Sequence, residues 1–310
     1  MKTINFLKHK NIILAISILV VLAGLIYGVI TDYVFDIDFK GGTRIKVDFN
    51  EEYQESDIKD IVSTITNQVP ELQTSSSGNN ALTITTQTLS EDESNALIDA
   101  LRVKYTNMGE PTIRNVQASY GKELLNTAII AGIVSIVLLL VYVAVRFRTL
   151  GYAAAFSAIL GLIFDVSFLF AIYGIFKFPI NSTFVAVLLT IVGYSINDTI
   201  IVYDRIRENR RLVTKSEDPK DVINHSITQT MKRTIITSLT TLVAIGVVLI
   251  FALVKDQETL KQFSIPLSIG IAEGTFSSIF VATSIWYSLD RFINKHKKAK
   301  INNENDKLTF

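Results

Sequence analysis

Ile191-Val192-Gly193-Tyr194-Ser195-Ile196-Asn197-Asp198-Thr199-Ile200-Ile201-Val202-Tyr203-Asp204-Arg205-Ile206-Arg207-Glu208-Asn209 begins inside an apolar run that starts near Ser182, carries one carboxylate into it, and then turns into a charged block. An ionisable side chain within a bilayer's hydrocarbon costs at least about 2.5–3.5 kcal/mol, so it usually faces a partner charge or a water-filled path. Asp198 lies about five residues before the charged flank, which places it roughly 8 Å inside at the helical rise. Tyr194 and Ser195 precede it by four and three residues and share its helix face. Gly193 leaves room for another backbone to approach.

Working outward, hydrophobic residues make up 49% of the 310 and the mean hydropathy is +0.36. That is too apolar for an ordinary soluble domain and points to a membrane protein. A net charge of +1, with Lys and Arg spread over several loops, argues against a nucleic-acid binder. Zero cysteines exclude a disulfide scaffold, a zinc-thiolate site and a Cys nucleophile.

Residues 1–30 read as a basic start (Lys2, Lys8, Lys10) followed by a first span, too long and too poorly suited to cleavage for a signal peptide. Residues 31–122 are polar. Arg44-Ile45-Lys46-Val47-Asp48-Phe49 alternates as a half-buried strand after the Gly41-Gly42 turn. Ile58, Ile61, Val62 and Ile65 recur at helical spacing, a weak strand lies near Leu72, a turn at 75–80 and a strand at 81–86. Ser90 with Glu93 is a capping-box pattern, and a last strand at 112–119 completes the order βαββαβ, that of a ferredoxin-like domain. Residues 123–290 hold five more spans, near 124–145, 151–176, 182–203, 234–253 and 264–289, with a loop at 204–233; residues 291–310 form a tail. The fold class expected is a polytopic α-helical membrane protein of six spans with a small extracytoplasmic α+β domain between the first two. Arg146, Arg148, the 205–233 loop and the 291–300 tail share a side with the N-terminal lysines, so both termini are expected in the cytoplasm.

Arg233 opens the fifth span near the depth of Asp198, where it would either pair with that carboxylate across the helices or snorkel beside Lys232. A carboxylate that trades an Arg for a proton would switch helix packing. Asp165 in mid-span and Glu273, about ten residues into the sixth span, are each either a further relay carboxylate or a lone acid that burial keeps protonated. Gly270 and Gly274 have the spacing of a tight helix contact, read as simple bundle packing. Asp204 with Arg207, and Arg205 with Glu208, are spaced to pair along a solvated helix end. Asp218-Pro219 caps an amphipathic surface helix expected at 222–231. No P-loop or dinucleotide fingerprint is present, and His9, His225 and His296 are scattered, so neither an enzyme site, a cofactor site nor a metal site is expected.

The motif from Gly193 through Asn197 and Asp198 into Asp204-Arg205-Ile206-Arg207 resembles the SecF family, the smaller partner of SecD in the bacterial Sec protein-export system, within the resistance-nodulation-division superfamily. The segment from Asp38 to Thr43, the fifth-span stretch from Arg233 to Thr241 and the sixth-span stretch from Gly274 to Ala282 are similar to further motifs of that family. The resemblance implies that Asp198 and Arg233 are the proton-coupling acid and base, with Asp165 matching a third-helix acid. It also implies a SecD partner, the SecYEG channel, YajC and YidC as further partners, unfolded preprotein as substrate, and the bacterial cytoplasmic (inner) membrane as location. The coupling ion would be H⁺ or Na⁺. Asp36 and Lys40 depart from the family pattern, and Lys40 is expected to alter preprotein or lipid contact. Glu273 stands where the family has an uncharged residue, which leaves the number of ion-linked acids open. Two other readings stand beside it: a small-molecule efflux half-transporter, which predicts larger external insertions and usually a second six-span repeat, and a structural assembly subunit, which predicts that Asp198→Asn leaves activity intact.

Overall fold

The computed structural model describes residues 4–74, 80–148, 150–212 and 218–293. Lys2, most of the turn expected at 75–80, part of the 204–233 loop and the tail beyond 293 lie outside the described residues.

The first span is α1 (Lys10–Ile30). A short helix that the sequence does not announce, α2 (Ile37–Lys40), follows, capped by the Asp36 carboxylate, which accepts the Ile37 N–H at 2.6 Å. Gly41 and Gly42 end it with φ of 78° and 143°, a region open to glycine. A Cβ on Gly41 would also stand 2.6 Å from the Ala118 Cα. Next come β1 (Gly42–Asp48), α3 (Glu55–Thr66), β2 (Glu71–Thr74), β3 (Ala81–Thr86), α4 (Glu91–Lys104) and β4 (Thr112–Val116).

The strands form one sheet in the order β2-β3-β1-β4, each neighbour antiparallel, with Ile45 opposite both Ile84 and Ile113. The two-residue period does the sorting. Ile45, Val47, Leu82 and Ile84 pack with Ile58 and Val62 of α3 and Leu97 and Leu101 of α4. Arg44 and Lys46 fall on the opposite face. At the start of α4 the Glu93 N–H donates to the Ser90 hydroxyl at 3.3 Å, and the Ser90 N–H donates to the Glu93 carboxylate at 2.8 Å.

The chain then runs through α5 (Ala118–Arg146), α6 (Tyr152–Phe176), α7 (Ser182–Leu212), α8 (Pro219–Val254) and α9 (Glu258–Phe276), the last continuing by a π-helical turn, Ser277–Ala282, toward Ile293. α5 begins at Ala118, inside the stretch expected to belong to the polar unit. Among the described residues six helices are long and apolar enough to cross a membrane. The sixth is the most buried; the second and fifth show the most apolar surface.

Two expectations are corrected. The fourth span does not stop at Tyr203 but continues to Leu212, and among the described residues the stretch expected as a separate surface helix is part of the fifth span's own helix. Nothing between Met231 and Thr234 breaks a helix, and a stop there would orphan carbonyls that one continuous helix satisfies. The Asp218 cap and Pro219 start therefore belong to α8 itself. The charged end of α7 is also less solvated than expected. Asp204 is half-buried and ion-paired with Arg146 of α5 as well as Arg207 at 3.4 Å.

α9 packs on α7 through the two glycines. A Cβ on Gly270 would overlap the Ile191 side chain, and one on Gly274 would sit 3.1 Å from the Ser195 Cβ. Gly270→Leu is therefore expected to lower stability by about 1–3 kcal/mol, the usual cost of overpacking, read as earlier thermal unfolding in detergent. Ser90→Ala is expected to cost about 1 kcal/mol, seen as faster amide exchange in the first turn of α4. The Ser90 N–H and hydroxyl hold Glu93 below the usual carboxylate range. Its half of the box is thus present above that range and fades as pH falls through the depressed value, a dependence that Glu93→Gln is expected to abolish in the same exchange measurement.

Candidate ion-coupling site

Asp198 is fully buried on α7. One carboxylate oxygen accepts the Thr275 hydroxyl of α9 at 3.3 Å, and the other has no hydrogen-bond partner among the described residues. Thr275 is held in turn by the Ser238 hydroxyl of α8 at 2.6 Å. Three helices thus meet at one carboxylate.

One turn earlier on α7, Ser195 faces α6 instead of accompanying Asp198. Its hydroxyl donates to Asp165 at 2.5 Å. Asp165 is 1% exposed. The Ser278 hydroxyl lies 2.9 Å from the Thr199 hydroxyl and donates to the Ser195 carbonyl at 3.0 Å. Ser278 sits in the π-helical turn, where the extra residue re-aims side chains against α7. Glu273, 8% exposed, adds a third buried carboxylate on α9, and neither of its oxygens has a hydrogen-bond partner among the described residues. The structure therefore holds Asp165 and Asp198 with hydroxyls from α7, α8 and α9, while Glu273 is buried on α9 without one among the described residues.

Arg233 does not form the direct pair with Asp198 that the sequence leaves open. It is exposed on α8. The reason is helical phase. Thr234 and Ser238, four residues apart, face the bundle, and Arg233 is rotated about 100° off that line. Arg233 instead lines an open cleft of about 730 Å³ with Asn197, Asp204, Arg205 and Arg207 at the charged end of α7 and α8. There Arg205 pairs with Glu208 at 2.5 Å and donates to Gln229 of α8 at 2.6 Å.

Among the remaining motif residues, Tyr194 reaches the Thr241 hydroxyl of α8 at 3.4 Å. A Cβ on Gly193 would meet nothing within 4 Å, so the close approach expected there occurs at Gly270 and Gly274 instead. Thr199, Ser238, Thr275 and Ser278 fall inside the stretches that resemble family motifs, but within those stretches nothing singles out their hydroxyls beyond a density of such groups in otherwise apolar spans.

The family model described as "Protein export membrane protein SecD/SecF, C-terminal" matches residues 97–291. The chain is 32% identical to protein translocase subunit SecF of Sebaldella termitidis over 301 residues, covering 96% of this chain and 95% of that one. It is 35% identical over 179 residues to protein translocase subunit SecDF of Bacillus subtilis, covering 57% of this chain and 23% of that protein. The crystal structure of SecDF, a translocon-associated membrane protein from Thermus thermophilus, superimposes with a TM-score of 0.79 at 28% identity, over 93% of this chain and 39% of that one. Six long apolar helices in a chain with these relatives make it a multi-pass membrane protein. Matched over most of its length by the family model and over nearly all of it by a SecF subunit, the chain belongs to the SecD/SecF family of protein-export membrane proteins.

Proposed function

We propose that the chain serves as the SecF-type subunit of the bacterial Sec export machinery, using the transmembrane ion gradient to promote late preprotein translocation and release outside the cytoplasmic membrane. The observation that carries this reading is Asp198, fully buried between spans with one carboxylate oxygen unpartnered among the described residues. A carboxylate so placed calls for a proton, a cation or an approaching Arg. Asp165 and Glu273 add two further buried acids, and Arg233 lines the cleft with Asn197 and Asp204 of the same helix that carries Asp198. Each elementary charge crossing a 100 mV potential supplies about 2.3 kcal/mol, enough to bias a two-state packing by tens of fold. The device is not an enzyme and uses no cofactor; its coupling ion is H⁺ or Na⁺.

SecD supplies the partner bundle, a pairing supported by the SecDF relatives in which both occur in one chain. SecYEG, with YajC and YidC, completes the assembly, and unfolded preprotein is the substrate. The βαββαβ unit is a ferredoxin-like domain on the outer side, and both termini are cytoplasmic, as the basic loops favour. Because the chain has no cysteine, single replacements report this directly. Glu110→Cys is expected to react with an impermeant thiol reagent from outside and Asp221→Cys only after permeabilisation; the reverse pattern would invert the topology.

A structural assembly role is the second reading, favoured by the Thr275–Asp198, Ser238–Thr275 and Ser195–Asp165 contacts that together tie four spans. Gradient-driven preprotein release in sealed vesicles separates the two. At matched levels of assembled complex, Asp198→Asn is expected to slow the gradient-dependent step roughly tenfold or more. A wild-type rate would leave the carboxylate with a structural role.

A further inference from the structure

A second set of buried acids lies far from Asp198, at the other end of α7. Asp36 and Asp38 are each 3% exposed and flank the start of α2. The Asp38 carboxylate accepts the Ser182 hydroxyl at 2.7 Å and the Ser182 N–H at 3.3 Å, so it caps the first turn of α7 from outside that helix. Its other oxygen lies 2.9 Å from the Arg114 guanidinium of β4, an ion pair without hydrogen-bond alignment. Asp36 is gripped by Arg44 of β1 and accepts from Asn181 at 3.3 Å, while Asn181 caps the Phe184 N–H at 3.1 Å.

Backbone and apolar contacts fix the same joint. The Asp36 N–H donates to the Ile180 carbonyl at 3.1 Å and the Ile180 N–H to the Val34 carbonyl at 2.8 Å. Phe39 is buried with Ile180, just before α7, and with Phe184, Val187 and Ile191 along it. Lys46 of β1 pairs with Asp256 at 2.6 Å, a contact to the α8–α9 connection and not to α7. Of these side chains, Asp38 is the one that bonds the first turn of α7 and also faces a strand.

We propose that Asp38 is a positioning residue that couples α7 to the sheet, so that a shift of the helix bearing Asp198 is delivered to β4 through Arg114 and, beside it, to β1 through Asp36 and Arg44. The inference rests on the ion-coupling reading of Asp198. Ser182 and Asp198 are sixteen residues apart on one continuous helix, about 24 Å, and a packed helix carries a displacement over that length as a rigid element. A carboxylate fits the joint because it accepts from a helix N-terminus and holds an arginine at the same time.

The test uses the complete complex in sealed vesicles, at matched assembly, with two readouts: gradient-linked ion movement and gradient-dependent preprotein release. Asp38→Asn is expected to keep ion movement within about twofold of wild type and to slow release roughly tenfold, with Asp38→Glu restoring most of it. Arg114→Gln, at a half-exposed position that tolerates change, is expected to slow release by about fivefold with ion movement kept. Wild-type release in Asp38→Asn overturns the proposal, as does parallel loss of both readouts without rescue by Glu. Should Asp38→Asn fail to assemble, wild-type release in Arg114→Gln overturns it. Asp198→Asn, run alongside, isolates the underlying reading. Wild-type values there sink ion coupling itself and leave Asp38 nothing to transmit.

Discussion

A carboxylate buried among membrane spans has to be held by whatever polar groups the neighbouring helices can bring, and much of the bundle's detail follows from meeting that demand at Asp198 and Asp165. Water is scarce there, so hydroxyls stand in for it. Thr275 and Ser238 serve Asp198, and Ser195 serves Asp165. Short hydroxyl side chains reach a neighbour only when the helices are close, and Gly270 and Gly274 allow α9 to lie against Ile191 and Ser195 of α7. The π-helical turn then aims Ser278 at Ser195 and Thr199. Packing and polarity are one arrangement here: filling the glycine side of the contact would separate the hydroxyls from the acids.

The same helix meets the polar unit at its other end through acids of the opposite character. Asp36 and Asp38 are both ion-paired, by Arg44 and Arg114, and both engage the start of α7, where the inner carboxylates keep open valences. Paired acids fix geometry, because removing either partner strands a buried charge. Underpaired acids invite a proton or a cation. One helix therefore joins a site suited to change with a site suited to hold.

The outward faces extend this division. α5 and α8 show long apolar surfaces, and Arg233 stands on α8 at a cleft of arginines instead of inside the bundle. A second bundle of the same family packed on α8 would cover its apolar surface and change the surroundings of Arg233.

Six spans, a βαββαβ order and three intramembrane acids were all legible in the residues, because each rests on local pattern: twenty-residue apolar runs, two- and 3.6-residue periods, and a charge out of place. The Ser90–Glu93 box was legible for the same reason, as both partners lie within one turn. Phase was what the sequence left open, and continuation was what it misread. Arg233 and Asp198 agree in depth, but depth along the membrane normal says nothing of rotation about each helix axis, and that rotation turns Arg233 outward. Likewise α7 and α8 run on past their expected ends because contacts such as Arg146–Asp204 and Asn209–Ser226 support the added turns. The sequence by itself determined that acids lie within the membrane and which spans carry them. Only the tertiary structure decided which hydroxyls answer them, which glycines admit those hydroxyls, and that Asp38 reaches Ser182, because these are meetings of residues dozens of positions apart whose geometry no local period encodes.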